Sequence, residues 1–201
     1  MAYASVGTGA TAVGVKINNG VVLASEKRVS YGGFIMSKTA RKVFPIKNRF
    51  GIAFAGLFSD IQTLNRTMNV LIHQYEIENG RPITVHSAAK LLSVILYQNK
   101  YLPFLSEIIF GGIDESGPHL YVMDALGSLI EDDYAAVGTG APIAIGIIES
   151  RYKPDMSVEE AIKLVADAIS AAVKRDVMSG DGVDIVAITS KGVIEETRPI
   201  S

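Results

Sequence analysis

Two apolar runs flank a short polar turn near the start of the chain and predict a β-hairpin. Residues 9–17 and 21–24 are mostly apolar, and Asn19-Gly20 lies between them. Asn-Gly is a strong hairpin signal because both central residues of a type I′ turn need a positive φ. We therefore predict two antiparallel strands that turn at Asn19-Gly20, the second of which ends in Glu26-Lys27-Arg28.

Apolar residues at helical spacing predict four helices in two pairs. The predicted starts are Ser59-Asp60, Thr84, Pro142 and Ser157. The segment Ser157-Val158-Glu159-Glu160 has the composition of a capping box, in which a serine and a glutamate satisfy the free N–H groups of a helix start. The first helix is predicted to run to about Asn79 and the third to about Tyr152.

Strand patterns precede, separate and follow the two helix pairs. They cover residues 50–57, 108–113, 119–124, 134–137 and 183–188, with a last turn at Lys191-Gly192. Residues 29–33 are expected to form a turn-rich connection. Runs of strands that are segregated from runs of helices favour an α+β fold with antiparallel sheets over a doubly wound parallel sheet.

Composition narrows the class of protein. The chain has 201 residues, which suits one domain, and its 48% hydrophobic content suits a large core or partner surfaces. A net charge of −2 gives no basic surface for nucleic acid or for an anionic membrane. No apolar run is long enough to span a bilayer, and the first nine residues do not resemble a secretory signal. We expect a cytoplasmic protein.

Metal and cofactor sites are not predicted. The chain has no cysteine, which excludes a disulfide framework and a thiolate metal site. His73, His86 and His119 each lack a second ligand at metal spacing. Gly138-Thr139-Gly140 could pass for a phosphate cradle, but the third glycine and the later acidic residue of a dinucleotide site are missing.

The resemblance to a known family lies in several short patches whose order and spacing agree. The patches are Gly9 to Gly14, Ala24 to Arg28, Ser30 to Ile35, Lys42-Val43-Phe44, Gly56-Leu57, Gly111 to Asp114, Gly138 to Gly140, Arg175-Asp176 and Ser179-Gly180. In these residues the chain resembles β-type subunits of the archaeal 20S proteasome over nearly its whole length. The resemblance implies a four-layer αββα sandwich, with two antiparallel sheets between two helical layers.

The resemblance also implies a threonine peptidase in which a short propeptide is removed to expose an N-terminal threonine. It divides the chain into a propeptide-like segment, residues 1–9, and one domain, residues 10–201. Its partners would be α-type subunits and other β-type subunits in stacked rings. The substrate would be unfolded polypeptide, delivered by an ATP-dependent system.

Position 10, where the family has its nucleophile, is alanine in this chain. An alanine methyl cannot attack a carbonyl, so the resemblance implies neither self-processing nor hydrolysis by this chain. An alanine that evolved there and one introduced in place of threonine fit the pattern equally well. Position 10 is therefore predicted to be a vacant nucleophile site.

The supporting residues of the family's site have counterparts here. The predicted site contains Glu26, which would orient Lys42, together with Asp176, Ser179, Thr139, Arg28 and the backbone N–H of Gly56 as oxyanion donor. Arg28 either pairs with an acid of this network or is a strand-end charge. The predicted substrate pocket is apolar and consists of Val29, Ala40, Phe44, Phe54 and Phe58, although Phe54 and Phe58 are equally compatible with ordinary core.

Two other functions stay open from the sequence. Thr11 or Thr8 would become an N-terminal nucleophile if cleavage fell at another bond, but each is out of register with Glu26 and Lys42. A non-proteolytic binding module is the alternative of a different class, and the spacing of Glu26, Lys42 and Asp176 disfavours it.

Overall fold

A computed structural model describes residues 9–31 and 33–200 of the chain. In these residues the elements follow in the order β1 (Thr11–Ile17), β2 (Gly20–Glu26), β3 (Val29–Tyr31), β4 (Phe34–Ser37), β5 (Val43–Ile46), β6 (Phe50–Gly56), α1 (Phe58–Asn79), α2 (Val85–Gln98), β7 (Ser106–Asp114), β8 (Gly117–Met123), β9 (Ile130–Glu131), β10 (Tyr134–Gly138), α3 (Ala141–Arg151), α4 (Val158–Val173), β11 (Val183–Thr189) and β12 (Gly192–Arg198).

Two five-stranded antiparallel sheets form the centre of the molecule. One has the strand order β10-β1-β2-β11-β12 and the other the order β5-β6-β7-β8-β9. Because side chains alternate across a strand, Val13 and Val15 of β1 face α3 and α4, whereas Ala12 faces the second sheet. The second sheet packs its other face on α1 and α2. The predicted α+β sandwich of two sheets between two helical layers is confirmed.

The first hairpin forms, but its turn differs from the prediction. Ile17 pairs with Gly20, so the two loop residues are Asn18 and Asn19, and Asn19 has no positive φ. The predicted type I′ turn at Asn19-Gly20 is therefore wrong. Glycine is needed at position 20 for another reason, because a Cβ there would lie 2.1 Å from the carbonyl oxygen of Ile188 on the neighbouring strand β11.

The predicted helix starts are confirmed where a side chain at the start caps its own helix. The Thr84 side chain accepts a hydrogen bond from the Ser87 N–H, and Ser157 and Glu160 form the predicted capping box. The predicted cap at Ser59-Asp60 is wrong, because α1 begins after Leu57 without a side-chain cap. The Asp60 carboxylate instead accepts the Leu105 N–H at 2.7 Å.

Two further differences concern short strands. Residues 29–31 are strand β3 and pair with β4 in a small separate sheet, rather than forming only a turn-rich connection. The chain also continues after the turn at Lys191-Gly192 into the edge strand β12. β12 is an exposed edge strand that buries few side chains, so its apolar pattern is weak, whereas β4 is apolar but its four residues do not show which strand they pair with. The boundary between residues 1–9 and 10–201 stays a prediction, since residues 1–8 lie outside the described part.

Candidate active site

The head of β1 is held by the segment that follows β10. Ala10 is fully buried, and its neighbour Thr11 pairs with Gly138. Gly138 has a φ of 91°, and a Cβ at this position would lie 2.1 Å from the Ala10 carbonyl oxygen. Glycine at position 138 thus permits both the backbone turn and the close approach of Ala10.

Glu26 and Lys42 form a buried ion pair that joins the two sheets. Glu26 ends β2 in the first sheet, and Lys42 directly precedes β5 in the second. Their side chains are 0% and 2% exposed, and Lys42 Nζ also donates to the Arg28 carbonyl at 2.7 Å. Glu26 Oε2 accepts the backbone N–H groups of Arg28 at 2.7 Å and Gly180 at 3.0 Å. These bonds compensate the cost of burying both charges.

Burial brings the pKa values of Glu26 and Lys42 closer together. It raises the pKa of Glu26 and lowers the pKa of Lys42, while the attraction between the two charges opposes each shift. The carboxylate of Asp176 adds to that opposition by raising the pKa of Lys42. Burial thus disfavours the charged form of both groups, and the attraction between them favours it.

A second group of polar side chains lies around Asp176, just after α4. Asp176 Oδ2 accepts the hydroxyls of Thr139 and Ser179, each at 2.6 Å, and Oδ1 accepts the Met178 N–H at 3.1 Å. The Thr139 hydroxyl is also 3.3 Å from the carbonyl oxygen of Ala10. The Thr139 proton goes to Asp176, and the same hydroxyl is in contact with the backbone of residue 10.

Thr11 belongs to this second group, on the face of β1 opposite to Ala10. Its Oγ1 is 2.7 Å from Ser179 Oγ, and both residues are fully buried. Since the Ser179 proton is already donated to Asp176, the Thr11 hydroxyl is the donor in this bond. Ala10 clusters with Ala12 between the sheets, whereas Thr11 points toward Ala172 of α4. Thr8 lies outside the described residues.

Arg28 pairs with an acid that the sequence did not single out. Its guanidinium donates to Asp181 Oδ2 at 2.8 Å and to the Val177 carbonyl at 3.0 Å. Asp181 adopts a left-handed φ of 70°, which sequence patterns seldom reveal for a residue other than glycine. A Cβ at Gly180 would lie 2.2 Å from the Arg28 guanidinium. Arg28 thus pairs with Asp181, an acid outside the predicted network, and the prediction that it pairs within that network stays a prediction.

Gly56 ends β6 beside a cavity. Its φ is 146°, and a Cβ there would lie 2.1 Å from the Leu105 carbonyl oxygen. A cavity of about 380 Å³ is lined by Ala55, Gly56, Leu105, Ser106, Glu107, Ala125, Gly138 and Thr139. The Ser106 hydroxyl is buried without a hydrogen-bond partner among the described residues. The residue predicted as oxyanion donor therefore borders open space shared with Thr139.

The predicted substrate pocket is only partly available. Phe54 is fully buried in the core beneath α1 and α2, which is one of the two roles left open for it by the sequence. Phe44 and Phe58 are half-buried and pack against the same core, with the Phe44 ring 6.3 Å from that of Phe54. Ala40 is buried and donates its N–H to the Lys27 carbonyl at 3.1 Å, and Val29 begins β3.

Two of the three histidines, His86 and His119, belong to a separate cluster of polar side chains. His119 contacts Glu131 at 2.7 Å and Ser116 at 2.8 Å, and His86 is 3.3 Å from the Tyr121 hydroxyl. Within residues 9–31 and 33–200, no group of three potential ligands could hold a metal ion. No helix in the described part of the chain has the length and apolar character needed to cross a membrane.

Comparisons with known proteins agree on one family. The family described as Proteasome subunit matches residues 6–188. A protein named proteasome subunit beta 1, from Hyperthermus butylicus, is 58% identical over 183 residues, which is 90% of each chain. A protein named proteasome subunit beta 2, from Caldivirga maquilingensis, is 52% identical over 187 residues, which is 93% of this chain and 94% of the relative.

Proposed function

Since this chain belongs to the proteasome family, as a β-type subunit of the archaeal 20S core, we propose that it occupies its place in the ring without cutting peptide bonds itself. The family is a threonine protease at the level of the whole complex, and its members assemble into multi-subunit rings. We propose α-type subunits and catalytically active β-type subunits as the partners of this chain. Unfolded polypeptide would be hydrolysed by those active β-type subunits.

The observation that carries the proposal is the methyl group at position 10. Hydrolysis by an N-terminal residue needs an attacking hydroxyl, a base that accepts its proton and donors for the oxyanion. Ala10 has no hydroxyl, although the polar residues predicted for the site form a network of two hydrogen-bonded groups. Glu26 binds Lys42 in one group, and Asp176 accepts the hydroxyls of Thr139 and Ser179 in the other. We assign Glu26, Lys42, Asp176, Ser179, Thr139 and the Gly56 N–H to that network.

The position of Thr11 argues against a nucleophile one residue later. Its hydroxyl is fully buried, donates to Ser179 and lies on the face of β1 turned toward α4. Attack by Thr11 would require it to leave the strand pair with Gly138. We therefore favour a vacant site over a site with a shifted nucleophile.

The test introduces a hydroxyl at position 10 with threonine and compares it with valine, which has the same shape but no hydroxyl. Ala10→Thr and Ala10→Val would each be assembled with the partner subunits, and the mass and the peptidase activity of the chain would be measured. We expect Ala10→Thr to lose residues 1–9 and to hydrolyse a fluorogenic peptide, and Ala10→Val to do neither. An Ala10→Thr chain that stays uncut and inert in an assembled particle would overturn the assignment.

A further inference from the structure

We propose that Thr11 is a positioning residue whose hydroxyl locks the head of β1 against the Asp176 loop and so fixes residue 10 in place. The inference rests on the proposed function, because it concerns the reaction that a hydroxyl at position 10 would carry out. The Thr11 side chain lies on the face of β1 opposite to the side chain of residue 10. It acts through Ser179 and Asp176. Asp176 also accepts the Thr139 hydroxyl, and that hydroxyl contacts the Ala10 carbonyl.

The first argument is the continuity of the hydrogen bonds. Thr11 donates to Ser179 at 2.7 Å, Ser179 donates to Asp176 Oδ2 at 2.6 Å, and Thr139 donates to the same oxygen at 2.6 Å. Hydrogen bonds in such a chain polarise one another, so each member depends on the next. Removing the Thr11 hydroxyl would leave the buried Ser179 oxygen without its donor.

The second argument is the glycine at position 140. Gly140 has a φ of −88° and a ψ of 0°, which residues other than glycine adopt, so its backbone does not explain the absence of a side chain. A Cβ at this position would lie 2.1 Å from Thr11 Oγ1 and 3.0 Å from the Ala172 side chain. Gly140 thus leaves a recess that the Thr11 hydroxyl fills.

Together the two glycines explain the Gly138-Thr139-Gly140 segment without a phosphate ligand. Gly138 makes room for the Ala10 carbonyl, and Gly140 makes room for the Thr11 hydroxyl. The Thr139 side chain between them contacts both Asp176 and the Ala10 carbonyl. This segment therefore holds residues 10 and 11 from both sides, and we infer that it sets the position of the group at residue 10.

The test uses the assembled particle that contains the Ala10→Thr chain, with further changes at Thr11 and Gly140. Thr11→Val keeps the shape but removes the hydroxyl, Thr11→Ser keeps the hydroxyl, and Gly140→Ala fills the recess. Loss of one buried hydrogen bond corresponds to a change of about tenfold to a hundredfold. We expect kcat for a fluorogenic peptide to fall by that factor in Thr11→Val and Gly140→Ala, with KM unchanged, and Thr11→Ser to recover most of it.

Thr189→Val is the matched control, because Thr189 is also a buried strand threonine but lies at the end of β11 paired with Gly20, away from the head of β1. It should leave kcat and KM unchanged. Equal values of kcat for Thr11→Val and Thr11→Ser, or a loss that appears only in KM, would overturn the role of Thr11.

An inert Ala10→Thr particle would contradict the proposed function. The contact of Thr11 with the Asp176 loop, here called the lock, would then be tested in the unaltered Ala10 chain. In that chain we expect amide hydrogen exchange at residues 138–140 to be about tenfold faster in Thr11→Val and Gly140→Ala than in Thr11→Ser or Thr189→Val, as for loss of one buried hydrogen bond. Equal exchange in all four variants would overturn the lock, whatever the result at position 10.

Discussion

At the scale of single residues, the buried pair of Glu26 and Lys42 has a structural role that does not need a nucleophile. Lys42 Nζ binds the Arg28 carbonyl, and Glu26 Oε2 accepts the N–H groups of Arg28 and Gly180. The pair therefore ties β2, the start of β5 and the loop after α4 together. Since these contacts hold the loop in shape, a chain that has Ala10 still benefits from keeping both charges.

Removing one member of this pair should be costly. Lys42→Met leaves the Glu26 carboxylate buried without its ammonium, and we expect the free energy of unfolding in urea to fall by about 3–5 kcal/mol. The double variant Glu26→Gln with Lys42→Met should lose less than Lys42→Met alone, because no charge stays buried. Lys163 is exposed on α4, so Lys163→Met should stay within about 0.5 kcal/mol of the parent. A loss below about 1 kcal/mol for Lys42→Met would contradict the structural role.

Sequence patterns reached some of these residues and not others. The resemblance to the family named Glu26, Lys42, Asp176, Thr139 and Ser179. The structure pairs Glu26 with Lys42, and it separately joins Thr139 and Ser179 to Asp176. Asp181 and the role of Thr11 were missed, because the first depends on a left-handed backbone and the second on a loop 168 residues away. Phe54 stayed open between pocket and core, since the pattern of a strand does not reveal which of its aromatic rings the helices cover, and it lies in the core.

At the scale of elements, a close backbone contact between two strands explains why position 20 is glycine, although the sequence pattern assigned this glycine to a turn. Gly20 sits where the Ile188 carbonyl of β11 approaches β2, whereas Gly146 lies on the exposed side of α3 with nothing within 4 Å of an added Cβ. The same substitution should therefore have opposite effects at the two positions.

Gly20→Ala should destabilise the chain, because the added methyl would collide with a carbonyl oxygen that belongs to the sheet. We expect Gly146→Ala to stabilise it by about 0.5–1 kcal/mol, the difference between alanine and glycine inside a helix. Thermal unfolding of the two variants beside the parent measures both effects. Stabilisation by Gly20→Ala would show that the contact between β2 and β11 is wrongly described.

Glu76 links the end of α1 to the turn between β5 and β6, and this link should depend on pH. Partial burial alone would raise the pKa of Glu76, but its bonds to Lys47 and the Ile83 N–H and the charge of Arg49 outweigh that effect and lower the pKa. A carboxyl group with a lowered pKa stabilises the folded state above its unfolded pKa and loses that contribution as the pH falls through its folded value.

Glu76→Gln should therefore reduce the free energy of unfolding by about 1 kcal/mol at pH 7 and by much less in acid. Urea denaturation at a series of pH values from 7 to 3, with the parent chain beside the variant, measures the difference. A destabilisation that stays constant across this range would rule out the charge of Glu76 as its cause.

Elements were predicted well where their signals are local. The starts of α2 and α4 were predicted from Thr84 and Ser157, because each side chain caps its helix by accepting the N–H of the residue three positions later. The start of α1 did not, because Asp60 binds the Leu105 N–H on a distant segment instead of capping its own helix. The edge strand β12 and the small hairpin of β3 and β4 escaped for a related reason, since their pairing partners rather than their own apolar pattern define them.

At the scale of the whole molecule, the small hairpin of β3 and β4 stands outside both large sheets and carries exposed apolar side chains. Phe34 is 70% exposed, Met36 68% and Tyr31 58%. A subunit that assembles into rings buries part of its surface against its neighbours. Burial of exposed apolar groups contributes most to the free energy of such an association. We expect this hairpin to contact a neighbouring subunit.

Phe34→Asp should accordingly weaken assembly without weakening the fold. The expected result is an unchanged melting temperature for the isolated chain and a smaller yield of complete particles in size-exclusion chromatography after mixing with the partner subunits. A normal yield of particles would show that this hairpin stays outside the subunit contacts.

The central claim is that the site at the head of β1 lacks its attacking group, and the most direct measurement is the intact mass of the unaltered chain taken from an assembled particle. A vacant site predicts that residues 2–9 are still attached, because no hydroxyl at position 10 can cut them off. A chain that begins at Thr8 or Thr11 would contradict the account, since one of these threonines would then serve as the nucleophile.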